Sequence, residues 1–144
     1  MSLQMSIDEL HDFLQRDFPQ VENDFTIMQL DADELHVRLN VQEKHLRPGG
    51  TVSGPTMFGL VDVSVYIAIL ARLGPVALAV TTNCSIDFMR KPARDQELIS
   101  KTRILKMGRS LVVGDVLVFS GDDPRPVARA NLTYSIPPAQ QMGG

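Results

Sequence analysis

Apolar residues recur along this chain at two different spacings, and the switches between them mark its elements. Ile7, Leu10, Phe13 and Leu14 fall on one face at three- and four-residue intervals, as in an amphipathic helix. Ser6 stands where a cap belongs, Glu9 follows three residues later as in a capping box, and Pro19 ends the run. Between residues 24 and 41 the period falls to two. Phe25 and Ile27, then Leu35, Val37 and Leu39, alternate with polar residues around Asp31-Ala32-Asp33, which predicts a hairpin. Residues 42–54 read as a loop punctuated by Pro48, Gly49 and Gly50. An apolar segment follows to Leu73 and is stopped by Gly74-Pro75. Beyond it the pattern predicts strands over 76–90, 97–105, 111–120 and 127–136, with turns at Gly108 and at Gly121-Asp122-Asp123-Pro124. The tail, 137–144, is expected to fray.

Periodicity alone leaves one segment open. In LVDVSVYIAIL, residues 60–70, Val61, Val63, Val65, Ile67 and Ile69 alternate as in a strand and are all β-branched. Against that, the run exceeds a usual strand, and Ser53-Gly54-Pro55-Thr56 makes a good helix start, with Pro55 in the first turn. Both alternating sets are mostly apolar, which suits a helix buried all round. With this segment helical, the order is helix, two strands, central helix, four strands. Antiparallel strands with segregated helices indicate an α+β fold.

Composition narrows the function classes. The chain has 144 residues, 44% hydrophobic and 22% charged, with a formal charge of −3. One domain of this length buries roughly 70% of its unfolded surface and needs no disulfide or metal staple. No block of lysines and arginines suggests nucleic-acid binding. The single cysteine, Cys84, rules out an internal disulfide and reads as a buried small hydrophobe. His11, His36 and His45 lie on separate elements at no metal-binding spacing, and His45 reads as a solvated loop residue. The N-terminus is polar with early acids, unlike a secretory signal, so a cytoplasmic protein is expected. An internal acid argues against a membrane span over 57–80.

That acid, Asp62, is the most informative residue. It sits in the most apolar part of the chain, where an ionised carboxylate costs several kcal/mol unless partnered. Such a position suits a general base or a nucleophile, and equally a structural acid bonded to a neighbouring strand. Two helical turns earlier, the free amide of Gly54 at the helix start is placed to receive developing negative charge on an acyl oxygen; Pro55 has no N–H to offer.

Here a resemblance becomes specific. The segment HLRPGGTVSGPTMFGLVDVSVYIAI, from His45 to Ile69, is similar to the core of the PaaI-like thioesterases, the phenylacetate-pathway branch of the hotdog superfamily. In that family an Asn-Pro-x-Gly loop leads to His-Gly-Gly and then a helix carrying Leu-x-Asp. This chain carries Pro48, Gly50, Gly54, Leu60 and Asp62 in register. TTNCSIDFMRKP resembles the family's central strand, and KMGRSLVVGDVLVF its Gly-Arg turn and following strand. The likeness covers roughly residues 24–136. It implies a hotdog fold, a curved antiparallel sheet wrapped around one central helix. It also implies a homodimer or dimer of dimers with sheets joined edge to edge, active sites at the dimer interface, no metal or bound cofactor, and hydrolysis of an acyl-CoA, with coenzyme A present only as part of the substrate.

The resemblance carries over to Asp62 and Gly54 as catalytic groups. It departs at three positions: the family asparagine falls at Arg47, the histidine at Ser53 and the second glycine at Pro55. Arg47 can take the polarising role, or pair with Asp62 and make it structural. Thr81, Thr82 and Asn83 on the central strand are expected to face the helix and hold a water, with Tyr66 one turn beyond Asp62 lining the acyl pocket. Arg90, Lys91, Lys106 and Arg109 are the candidate contacts for coenzyme A phosphates. Met57, Phe58, Val61 and Val65 suggest an apolar acyl pocket. The rival readings are an acyl-CoA-binding protein without turnover, which the missing asparagine and histidine favour, and a hotdog hydratase or dehydratase, which the lack of a helix histidine disfavours.

Overall fold

A computed structural model of the chain describes residues 3–21, 23–76 and 78–138. The first element, α1 (Ile7–Asp17), starts as expected. Ser6 Oγ accepts from the Glu9 amide at 3.2 Å, and Glu9 Oε1 accepts from the Ser6 amide at 3.1 Å. Its buried stripe is Leu10, Phe13 and Leu14. β1 (Phe25–Leu30) and β2 (Leu35–Leu39) form the hairpin. The loop after it holds a single 3-10 turn at Glu43–His45.

The ambiguous segment is a helix, α2 (Gly54–Leu73). Thirteen of its residues are buried, from both alternating sets, so the β-branched run is explained by a core element covered on every side. By length and composition α2 could cross a bilayer, but 72% of its most apolar window is buried inside the protein, as in a core helix. Four strands complete the fold: β3 (Val80–Phe88), β4 (Leu98–Met107), β5 (Leu111–Ser120) and β6 (Ala128–Ser135). The six-stranded antiparallel sheet has the order β1-β2-β4-β5-β6-β3, curved around α2 in the hotdog arrangement. Inward residues such as Val37, Leu98, Val116 and Leu132 are fully buried against the helix. Gly114 on β5 lies where the helix comes nearest: a Cβ there would stand 3.2 Å from both Val65 methyls.

Three sequence expectations are corrected. The strand expected over 76–90 spans only Val80–Phe88. Gly74, at φ 88°, ends α2, and the Ala79 amide then bonds back to the Val76 carbonyl at 3.0 Å in a turn that carries the chain to the far sheet edge. His45 is buried, because the loop folds back over it: its Nδ1 accepts the Gln42 amide at 2.9 Å and its Nε2 stands 3.7 Å from Asp24. Cys84 is only half-buried, since it lies on the outermost strand. The frayed-tail expectation falls mostly on 139–144, outside the described residues.

Candidate functional site

Asp62 projects from the middle of α2 toward the β3–β6 edge of the sheet and is half-buried. Its Oδ1 accepts two hydroxyls, from Thr81 at 2.5 Å and from Tyr134 at 2.7 Å. Tyr134 also lies 2.9 Å from the Asp62 carbonyl oxygen. Among the described residues no group donates to Oδ2, and no cation pairs with the carboxylate. The side chain opens on a hollow of about 480 Å³ lined by Phe18, Val63, Tyr66, Ala79, Thr81 and Tyr134, with Asp17 at its edge. Tyr66 packs edge-on against Phe18 and tilted against Tyr134, with centroids 6.1 and 6.3 Å apart. Burial, and then the Asp17 charge, pushes the Tyr66 phenol up. Burial, and then the Asp62 charge, pushes Tyr134 far above the ordinary phenol range, so it remains a donor at any working pH. The Cys84 thiol is raised by the same two causes and stays protonated.

Thr81 reaches Asp62 through an irregularity. Cys84 and Ile86 face the helix, so strict alternation would turn Thr82 inward and Thr81 outward. The β3–β6 pairing instead skips a residue between Thr81 and Asn83, and this β-bulge turns Thr81 to the helix side. The Thr82 hydroxyl bonds the Thr133 carbonyl at 3.2 Å, and Asn83, paired with Thr133, is exposed. Neither lines the Asp62 hollow, which corrects the expectation for both.

Gly54 opens on a second hollow. It is the first residue of α2, and Ser53 caps the helix by accepting the Thr56 amide at 3.3 Å and donating to Thr56 Oγ1 at 2.9 Å. The cap engages the Ser53 hydroxyl, and Ser53 borders neither hollow of the single chain. The hollow beside Gly54, about 490 Å³, is lined by Arg47, Met57, Phe88, Arg90 and Lys91 among others. Gly49 and Gly50, at φ 102° and 83°, let the Arg47–Ser53 loop turn tightly into the helix start.

The structure brings Arg47, Gly54, Arg90 and Lys91 together, and it separates them from Asp62, Tyr66 and Thr81. Arg47 makes no ion pair with Asp62, so that route to a structural acid is absent, whereas bonds to neighbouring strands are present in Thr81 and Tyr134. Lys106 and Arg109 lie at the β4–β5 end of the sheet, exposed, away from Arg90 and Lys91; pairing through β5 and β6 puts that end beside Val80. Val61 and Val65 are fully buried and Phe58 is exposed, so of the four expected acyl-lining residues only Met57 borders a hollow. Tyr134 was missed, because an inward aromatic on a strand reads as core. Among the described residues, no three His, Cys, Asp or Glu side chains gather as a metal site.

Similar proteins agree with this architecture. A protein of Pseudomonas aeruginosa that carries the name of a proposed esterase is 30% identical over 72% of this chain and 76% of its own. A crystal structure from Silicibacter sp. TM1040, described as a proposed thioesterase, is 56% identical, covers 96% of each chain and superposes with a TM-score of 0.90. A hypothetical thioesterase of Streptococcus pneumoniae TIGR4, solved with coenzyme A, shares the fold at 22% identity and a TM-score of 0.67, over 78% of this chain and 87% of that one. The sequence model of the Thioesterase superfamily matches residues 49–127, more than half the chain. On that match, and on the fold that carries it, the chain belongs to the thioesterase superfamily.

Proposed function

We propose that this protein hydrolyses an acyl-CoA thioester at composite sites, each made by two copies of the chain. The observation that carries this reading is the separation of the two reacting groups. Gly54 and Asp62 are eight residues apart on α2, about 12 Å at helical rise, and open on different hollows. One chain cannot apply both to one carbonyl.

A second copy can. β3 is an outer strand of the sheet, and Val80 and Phe88 at its ends are 54% and 52% exposed, apolar surface that a lone edge leaves in water. Gly54 lies against Phe88 at one end of β3, and Asp62 is bonded to Thr81 at the other. Two β3 strands paired antiparallel about a two-fold axis set the Phe88 end of each copy beside the Val80 end of the other. The Gly54 hollow of one then joins the Asp62 hollow of its mate. The same operation brings Arg90 and Lys91 of one copy toward the sheet end that carries Lys106 and Arg109 in the other, four cations for the phosphates of coenzyme A.

At such a site the Gly54 amide, with Arg47 beside it, polarises the thioester carbonyl. Asp62 either takes a proton from a water that attacks the carbonyl carbon, or attacks it directly to form an acyl anhydride that water then cleaves. Either way the C–S bond breaks, and the sulfur leaves as a thiolate that takes up a proton. Coenzyme A enters only as part of the substrate; that a neighbour of the same fold was solved with coenzyme A supports a site for it here. We assign the protein to the PaaI-like branch, acting in the cytoplasm.

The test is thiol release from short, long and aromatic acyl-CoAs by the native chain and by Asp62→Asn. Release that drops about 10²- to 10⁴-fold in the variant supports the reading. Equal rates would remove Asp62 from the chemistry. One rival keeps a specific observation: with Arg47 and the capping Ser53 at the family's asparagine and histidine positions, a binding protein without turnover would bind the esters and release no thiol.

A further inference from the structure

We infer that Tyr134 is a positioning residue of this hydrolysis, its phenol holding Oδ1 of Asp62 so that Oδ2 is left to meet the water or the carbonyl. The inference rests on the reading of Asp62 as the reacting carboxylate and adds a residue to it.

Tyr134 comes from β6, 72 residues along the chain from Asp62, and its side chain is buried. A phenol has one proton to give. Placed 2.7 Å from Oδ1 and 2.9 Å from the carbonyl oxygen of the same residue, it spans the aspartate's side chain and backbone and fixes the carboxylate relative to its own helix. Thr81 donates to the same oxygen at 2.5 Å from the bulge of β3. The donors converge on Oδ1 from two paired strands, Thr81 being the register partner of Tyr134. Oδ2 receives none among the described residues.

That asymmetry suits a reacting carboxylate better than a structural one. A purely structural acid in an apolar surround is best served by donors on both oxygens. Here one oxygen is anchored twice and the other is left with open lone pairs beside a hollow. Orientation of that kind is worth much in rate, since a displacement of about 1 Å costs on the order of 10². It adds nothing to the grip on the coenzyme phosphates, which in the proposed site falls to Arg90 and Lys91 of one copy with Lys106 and Arg109 of the other.

The experiment is steady-state thiol release by the full chain, Tyr134→Phe, Asp62→Asn and the double variant, with the best ester from the screen. Tyr134→Phe keeps the ring and deletes only the hydroxyl. The expected result is a fall in kcat of about 10- to 100-fold with KM changed less than about twofold. On the Asp62→Asn background the same change should have almost no further effect, because the group it orients is gone. An unchanged kcat in Tyr134→Phe, or a rise in KM alone, overturns the inference. So does a Tyr134→Phe chain too unstable to assay, which would make the hydroxyl a prop of the fold. If Asp62→Asn keeps full activity, the carboxylate reading fails first; a fall in kcat on Tyr134→Phe with undiminished Asp62→Asn would leave Tyr134 acting on something other than Asp62 and sink the positioning role separately.

Discussion

Gly54 and Asp62 share one helix yet face different hollows, two turns apart, with Phe88 beside the first and Thr81 bonded to the second. In the proposed composite site the amide and the carboxylate meet across two copies of the chain, and that pairing can be tested in solution.

Two inactive variants should restore activity when mixed. Gly54→Pro removes the amide: the first helical position accepts proline and Ser53 is already extended at φ −76° and ψ 157°, while a helical proline just before Pro55 adds strain, so circular dichroism of the variant must first match the native chain. Co-expressed with Asp62→Asn, it forms mixed dimers in which one site has both groups intact. With random pairing, thiol release returns to roughly a quarter of the native rate. No recovery in demonstrably mixed dimers would place both groups in one chain's site.

Gly114→Ala should destabilise the protein without touching the site. The added methyl would stand 3.2 Å from both methyls of Val65, which is fully buried in α2. Alanine in a strand would otherwise gain up to about 1 kcal/mol over glycine, but overpacking of this kind costs about 1–3 kcal/mol and should prevail. Urea titration would show a lower midpoint with an unchanged slope. A higher midpoint would mean that the helix and sheet can part cheaply there.

Alkaline pH should weaken the fold through its buried phenols. In the folded chain Tyr134 is held, first by burial and then by the Asp62 charge, well above its ordinary value of 10.0. Tyr66 is shifted the same way. Above pH 10 the unfolded chain has lost a proton that the folded chain keeps. Stability that is fully present below that pH is therefore lost as pH rises further, by about 1.4 kcal/mol per pH unit from Tyr134 alone. Unfolding midpoints at about pH 9, 10 and 11 should fall only over the upper interval, and fall less in Tyr134→Phe. Tyrosinate absorption that titrates in the intact protein near the free value would contradict the burial of both rings.

Much of this molecule was legible in residue order. Ser6 with Glu9 marked α1, and Ser53 with Pro55 marked the start of α2. Alternation marked five strands close to their observed limits, and the lone acid in the greasiest segment marked Asp62. These signals are local, since caps, turns and amphipathic periods are set by neighbours within a few residues. What residue order left open depends on contacts across the fold. Whether residues 60–70 coil or extend was decided by a sheet that covers the segment on every side. Thr81 rather than Thr82 meets the carboxylate because one bulge reverses the alternation, which leaves the pattern of residue types unchanged. His45 is buried by a loop folding back on itself, and Tyr134 becomes more than a core aromatic only when β6 is laid beside β3. Gly54 and Asp62, the proposed reacting groups, were already two turns apart in the helix reading; that they open on different hollows became visible only with the sheet wrapped around α2.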